Sequence, residues 1–404
     1  MREANFILRE PLLDPKQKVL GYELTLQQHE SGESNVSEAA AASLLAVVRD
    51  RLTDGEAGWL LGDHLLFVPS LPQSISEQHL QGLPPNRIVL VLDVNALVSA
   101  EAIDAVKSAR ASGFGVLLRG VDLAVHDKAL VSLATHVEAQ FGNPNFSAQV
   151  KNYSPLKQLS IRMTVRKVST WQEYDLCASL GLDVFIGNLY LTARSGTQPK
   201  GLNPTQTMIM QLMDMVRKNS DVRQLEGLLK RDAALSYKLL RYINSAGFGL
   251  GVEIQSLRHA VTMLGYSPLY RWLSVLLATA SAGGASSILM QAAITRGRFA
   301  ELLGQGFLPK SEVENLFVAG MFSLLDKLLG IPMAEVLDNI QLSEAVSQAL
   351  LTREGIYGPF LALAEACELN NGQVGPLADA VFIDADQVNE AHLTALAWVQ
   401  SLKL

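Results

Sequence analysis

Thr192-Ala193-Arg194-Ser195-Gly196-Thr197-Gln198-Pro199-Lys200-Gly201-Leu202-Asn203-Pro204 is the stretch on which the fold turns. It is polar and carries two glycines and two prolines, so it suits a linker or connecting loop. The hydrophobic period differs on its two sides. Up to about residue 190, short β-rich runs alternate with helical patterns, as in repeated β/α units around a largely parallel sheet. The strands include 19–26, 65–68, 88–93, 116–118, 159–165 and 184–186. Beyond Pro204 the strand signal disappears. Residues 205–218, 222–231, 233–245, 257–264, 311–329 and 387–401 all space apolar side chains at helical intervals. The expected organisation is an α/β unit over 1–192, a linker over 193–204 and an all-helical unit over 205–404.

Local signals mark several element ends. Residues 37–52 and 100–112 read as helices, the second stopped by Gly113, because glycine accepts the left-handed backbone that closes a helix. Thr170 and Glu173 fit a capping box, as do Ser74 with Glu77 and Ser311 with Glu314. Pro332 fits the first turn of a helix, where its missing amide hydrogen costs nothing. Six or more β/α units suit a barrel or a doubly wound sheet, and either carries its site at the carboxyl ends of the strands. Periodicity does not choose between them.

Composition bounds the function. The chain has 404 residues, enough for two or three domains of roughly 150 each. With 49% hydrophobic and 18% charged residues it can bury enough apolar surface to fold, which excludes disorder. The net charge of −7, without a long Lys or Arg run, argues against nucleic acid as a partner. The longest charge-free stretch, 272–295, is broken by Ser-Ala-Gly-Gly-Ala-Ser-Ser at 281–287, so its apolar parts are too short to span a bilayer. No apolar core follows Arg2 as in a signal peptide, and the expected location is the cytoplasm. Cys177 and Cys367 lack CxxC spacing and read as packing residues. Gly247-Phe248-Gly249-Leu250-Gly251 follows a helix rather than a strand, so it reads as a turn and not a phosphate loop. His126-Asp127 reads as a helix start or loop pair.

Several phrases resemble a known pair of bacterial domains, a degenerate EAL domain followed by an HDOD domain. In the first half they are Arg9-Glu10-Pro11-Leu12-Leu13-Asp14, Val19-Leu20-Gly21-Tyr22-Glu23-Leu24 and Leu180-Gly181-Leu182-Asp183-Val184-Phe185-Ile186-Gly187-Asn188-Leu189-Tyr190. In the second half the resemblance runs from Leu228 through Asp232-Ala233-Ala234-Leu235 to Ala246, and from Ile254 to Gly265. It implies an EAL-type (β/α) barrel in front of a helical domain related to metal-dependent phosphohydrolases.

Active EAL domains, on this resemblance, cleave cyclic di-GMP with two metal ions held by carboxylates at the strand ends. Glu23 stands at the name-giving Glu and Asp93 near the next acid, but the acid expected three residues later is Ala96 and the expected Asn is Pro69. An Asp-Asp pair has become Arg119-Gly120. The later acidic phrase reads Val165-Arg166-Lys167-Val168-Ser169-Thr170, the late Gln is Ile186, and the Lys has no counterpart near Ile161 and Arg162. In the helical half the His-Asp pair of HD enzymes falls on Ser323-Leu324, and neither His259 nor His392 precedes an Asp. The expectation is a protein that is not an enzyme, with no catalytic residue, cofactor or metal. Glu23 and Asp93 are then remnants of a pocket. Arg119 and Arg166 are either salt-bridge residues or contacts for an anion. Tyr237, Arg241 and Tyr242, with Tyr266, Tyr270, Arg271 and Trp272, offer the aromatic and Arg chemistry favoured at protein contacts. Protein partners in motility, attachment or stress signalling are what the resemblance implies, with cyclic di-GMP receptor as the alternative and residual phosphodiesterase as a third. The oligomeric state is not legible.

Overall fold

The computed structural model of the chain describes residues 5–28, 37–53, 61–123, 125–192, 194, 202–244, 253–280, 287–340, 342–369 and 371–402. Gly247 to Gly251 and most of 193–204 lie outside them. The chain divides into two compact units, Met1–Ser195 with Ala366–Gly375, and Gly196–Glu365 with Pro376–Leu404. Periodicity alone did not set 366–375 apart from the helical half.

In the first unit, eight strands close in chain order into a barrel, which decides between the two arrangements left open above. They are β1 (Asn5–Leu13), β2 (Val19–Gln28), β3 (Leu65–Pro69), β4 (Ile88–Asp93), β5 (Gly115–Arg119), β6 (His136–Gln140), β7 (Arg162–Arg166) and β8 (Val184–Ile186). β1 runs antiparallel to both neighbours, β2 and β8, and the other six pairings are parallel. Helices α1 (Glu38–Thr53), α2 (Glu77–Leu80), α3 (Ala100–Ala111), α4 (Lys128–Val131), α5 (Phe146–Tyr153) and α6 (Trp171–Ser179) alternate with the strands.

Two strands, β1 and β6, are additional to those read from the sequence. The run 159–165 is a strand only from Arg162, because Ser154–Leu159 forms a 3-10 turn ending at Ser160 with φ 58°. The Thr170–Glu173 capping box forms as expected. Ser74–Glu77 does not: Ser74 lies within a 3-10 turn, and the cap of α2 is Ser76, which accepts from the His79 amide. His126-Asp127 is a helix start, with Asp127 capping α4.

Side chains alternate across each strand, so every second residue faces the lumen. Leu12, Phe67, Val89, Val91, Leu117, Val184 and Ile186 pack there as one buried cluster. Gly21 sits where β2 crosses closest to β3: a Cβ would lie 1.8 Å from the Leu65 carbonyl oxygen, and its φ of +149° also favours glycine. One lumen position further along β2 is Glu23. One position beyond Leu117 is Arg119. Because β1 runs the other way, Glu10, before Leu12, comes level with both.

The second unit is helical: α7 (Pro204–Arg217), α8 (Val222–Leu229), α9 (Ala233–Ile243), α10 (Leu257–Leu264), α11 (Tyr266–Thr279), α12 (Ser287–Gly304) and α13 (Lys310–Phe322). α14 (Leu325–Leu329), α15 (Met333–Asn339), α16 (Glu344–Thr352), α17 (Gly358–Leu369), α18 (Val374–Ala380) and α19 (Ala385–Ser401) follow, the end of α17 from Ala366 and the start of α18 to Gly375 counting with the first unit. The single helix expected over 311–329 is two, broken at Ser323 and Leu324. Ser311 is not a cap, since α13 already begins at Lys310 behind Pro309, and Pro332 stands one place before the first turn of α15. At the centre, α12 and α13 meet backbone to backbone: a Cβ on Gly320 would lie 2.7 Å from the Arg296 carbonyl oxygen and from Gly297 Cα. That contact sets Arg296 beside Ser323.

Candidate functional site

Five charged side chains from five strands meet in the barrel at the carboxyl ends of its parallel strands. Arg119 of β5 donates through Nη2 to Glu23 Oε1 of β2 and through Nε to Glu138 Oε2 of β6 at 3.0 Å. Arg166 of β7 pairs with the same Glu23 oxygen, with Glu138 Oε2 at 3.3 Å, and with Glu10 Oε2 of β1 at 3.3 Å. Three carboxylates thus share two guanidinium groups, leaving one negative charge in excess. Glu23 is fully buried, and the side chains of Arg166 and Arg119 are 13% and 28% exposed.

The electrostatics follow from this crowding. Burial pushes the Glu10 carboxyl above its ordinary range, Arg166 opposes that, and Glu23 adds to it. Burial alone would lower the Arg166 pKa, but Glu23, Glu138 and Glu10 outweigh it and hold the guanidinium above its ordinary value. Glu10 and Glu23 stand directly opposite in the β1–β2 register, a destabilising pairing of like charges unless cations lie between them.

Of the residues singled out above, Glu23, Arg119 and Arg166 come together. Asp93 does not join them: it is exposed at the end of β4, and its Oδ1 accepts from the Asn95 amide at 2.8 Å as the cap of a 3-10 turn. Glu10 and Glu138 complete the cage and were missed. Their signal was the period of two, since Glu10 shares a face with Leu12, and Glu138 lies between His136 and Gln140.

Lower in the lumen, His136 is 5% exposed and packs edge-on against Phe67, ring centroids 5.0 Å apart. Burial first, and then Arg162 and Arg110, lower its pKa to about 3. It is therefore neutral in the folded barrel, whereas the unfolded chain takes up a proton near pH 6.5. Its contribution is full above pH 6.5 and is lost as the pH falls towards 3. Between pH 7 and pH 5 the barrel should lose about 2 kcal/mol on this account. His64 is shifted in the same direction, so the measurement is the difference between the parent and His136→Gln in urea unfolding across that range. Equal pH slopes for the two would remove His136 as the cause.

In the helical unit, the positions of the His-Asp pair hold Ser323, which is buried, and Leu324. Arg296, 3% exposed, donates from Nη1 to Ser323 Oγ at 2.8 Å and to Glu365 Oε1 at 2.9 Å. Arg353 grips the same carboxylate with Nε and Nη2, both at 2.9 Å. His392 is buried and stacked on Phe299, and among the described residues no group of three or more His, Cys, Asp or Glu is placed to hold a metal ion. A guanidinium, not a cation-ligand set, fills this place, so the residues present do not fit the metal of HD enzymes.

The expected contact surface separates into two parts. On α9, Tyr237 is 68% exposed, Arg241 is exposed and Tyr242 is half-buried. Trp272 is not at the surface: it is 1% exposed, because α11 is buried almost all round, from Leu269 and from Trp272 through Ala278. Arg271 is also drawn inward, bound to Glu301 through both terminal nitrogens and set 3.9 Å over the Phe317 ring. Cys177 and Cys367 are free and buried. Among the described residues no helix is long and apolar enough to cross a membrane.

Comparison with known proteins adds relatives to this geometry. Residues 202–348 match the HDOD domain family. The uncharacterized protein YuxH of Bacillus subtilis is 23% identical over 98% of both chains. The cyclic di-GMP phosphodiesterase CdgJ of Vibrio cholerae is 26% identical over 99% of this chain and 93% of its own. Among solved structures, the EAL domain of Mycobacterium smegmatis DcpA covers 46% of this chain and 90% of its own, with 14% identity and a TM-score of 0.38. A manganese and cyclic di-GMP complex of Klebsiella pneumoniae BlrP1 covers 46% of this chain and 55% of its own, with 14% identity and a TM-score of 0.37. Residues 202–348 thus match the HDOD domain family, and they follow a closed eight-stranded barrel.

Proposed function

We propose that the chain is a non-catalytic signalling protein of the cyclic di-GMP circuitry, acting in the cytoplasm through protein contacts. The carrying observation is the ion pairing of Glu10, Glu23 and Glu138 with Arg119 and Arg166. Two divalent ions need several carboxylate oxygens free to coordinate them and to activate water. Here one oxygen of each carboxylate is engaged by two fixed cations, which also repel an incoming metal. The Vibrio cholerae relative, named as a cyclic di-GMP phosphodiesterase, supports a tie to that messenger, while the altered ligand positions speak against the activity. A phosphate entering the cage would meet the excess negative charge and compete with three carboxylates, so the geometry favours the receptor reading less. The exposed Tyr237 and Arg241 of α9 keep the aromatic and Arg character of contact surfaces.

Incubating the full chain with cyclic di-GMP in Mg²⁺ or Mn²⁺ should release no linear dinucleotide, and calorimetric titration should show no binding at micromolar concentration. Linear product abolished by Glu23→Gln would replace the proposal with an enzyme. Micromolar binding lost in Arg119→Ala would replace it with a nucleotide receptor.

A further inference from the structure

Tyr266, Tyr270 and Arg271, which do not form an exposed contact surface, instead line a cavity of about 450 Å³ within the helical unit. Such a volume lies in the roughly 300–1,000 Å³ range of small-molecule sites. Apolar walls come from Val216 of α7, Leu264 of α10, Val318 of α13 and Val346 of α16. The Tyr266 hydroxyl is spent on the Ser220 carbonyl at 2.7 Å.

The polar lining includes several donors. Two arginines are among them, the exposed Arg217 and Arg271, whose charge Glu301 balances. Arg271 binds Glu301 with its two terminal nitrogens, while its Nε is buried without a hydrogen-bond partner. Burial pushes the Tyr270 hydroxyl up to about 12, so it stays protonated and can donate at physiological pH. Helix α11 starts behind Gly265 with no capping side chain, and Ser267 and Pro268 of its first turn border the cavity. Pro268 has no amide hydrogen, so the backbone donors of that turn at the cavity come from Tyr266 and Ser267, at the positive end of a 14-residue helix. The carboxyl end of α7 nearby is closed by its own cap, with Lys218, Asn219 and Ser220 taking carbonyls of its last turn. Glu314 is the one acid among the lining residues, and it already accepts the Ser267 hydroxyl.

We propose that this cavity binds a small planar anion, an aromatic or heteroaromatic ring bearing one carboxylate, phosphate or sulfonate. The apolar walls and tyrosine rings take the ring, and the donors around Arg217 and the start of α11 take the charge. This holds whatever the barrel does, since every lining residue belongs to the helical unit.

The test uses the full chain and the fluorescent sulfonate 1-anilinonaphthalene-8-sulfonate, beside the uncharged N-phenyl-1-naphthylamine. The sulfonate should bind the parent at one site. Arg217→Gln should weaken it about tenfold, the loss of one charge-assisted hydrogen bond, and leave the uncharged probe unchanged. Leu342→Trp, which fills the half-buried rim, should weaken both probes. Benzoate and adenosine monophosphate as competitors then separate the carboxylate source from the phosphate source. Thermal melts verify that each variant folds, and Tyr270→Phe, keeping the ring and losing the donor, serves if Arg217→Gln does not. Sulfonate binding that is absent, equal in parent and donor variant, or untouched by Leu342→Trp would overturn the proposal.

Discussion

Arg166→Met should lower the stability of the barrel by about 3–5 kcal/mol, the cost of leaving a buried carboxylate without its cation. Glu23 is fully buried, and Glu10 faces it directly across β1 and β2. With Arg166 gone, Arg119 still reaches Glu23 and Glu138, but Glu10 loses the one cation that binds it among the ion pairs of the cage. The cage then carries two negative charges in excess, in a place where burial already disfavours ionisation. For a unit of this size the cost corresponds to a melting temperature lower by roughly 6–20 °C. The defect should shrink on acidification, because carboxyl groups with raised pKa values take up protons in the folded state first. Glu10→Leu added to Arg166→Met should restore more than half of the loss, since an apolar replacement of both partners removes the charge that was stranded. Lys107→Ala is the control: its pair with Asp104 is 58% and 69% exposed, and exposed pairs contribute about 0–1 kcal/mol. A loss for Arg166→Met no larger than that of Lys107→Ala would mean that the cage is solvated and carries no structural weight.

The same residues show what a sequence discloses. Arg119 and Arg166 drew notice because each stands where a metal-binding domain needs an acid, and the barrel does bring both to Glu23. Glu10 and Glu138 gave no such signal. Glu10 shares its lumen face with apolar Leu12, and Glu138 shares its own with His136 and Gln140, so β1 and β6 lacked the continuous apolar run that marks Ile88–Asp93. The period of two places both residues on inward faces, but their partners Arg119 and Arg166 lie far along the chain, and no local pattern names them. The break between α13 and α14 was hidden for the converse reason: apolar spacing continues through Ser323 and Leu324, and only the Arg296 contact marks the place. Capping boxes divided in the same way. Thr170 with Glu173 closes a helix whose first turn lies there, whereas Ser311 with Glu314 has the spacing inside a helix already begun, and Glu314 turns instead to Ser267. Trp272 looked like a contact residue because its type is common at interfaces, but α11 is apolar on nearly every face, and such a helix is buried.

Both halves place arginine against carboxylate where the sequence resemblance implies metal ligands, and the helical half allows the sharper test. Glu365→Leu should cost about 3–5 kcal/mol, because Arg296, 3% exposed, then keeps its charge in the interior without the carboxylate that Glu365 supplies. Arg353 loses the same partner but is 32% exposed and also donates to the Ala349 carbonyl, so most of the cost falls on Arg296. The double variant Arg296→Met with Glu365→Leu should recover more than half of the loss, with the α12–α13 approach at Gly297 and Gly320 left intact. The melting temperature of the helical unit, followed by circular dichroism, should fall by roughly 6–20 °C in the single variant. Chelation separates this from a metal-held site. A protein whose helices are joined through a bound ion loses stability when the ion is removed, since binding free energy is then folding free energy. Here the cation is covalently part of the chain, so EDTA should leave the parent's melting temperature unchanged while Glu365→Leu lowers it. A parent that melts earlier in EDTA, or a Glu365→Leu variant within about 1 kcal/mol of the parent, the range of an exposed pair, would show that the guanidinium does not hold these helices together.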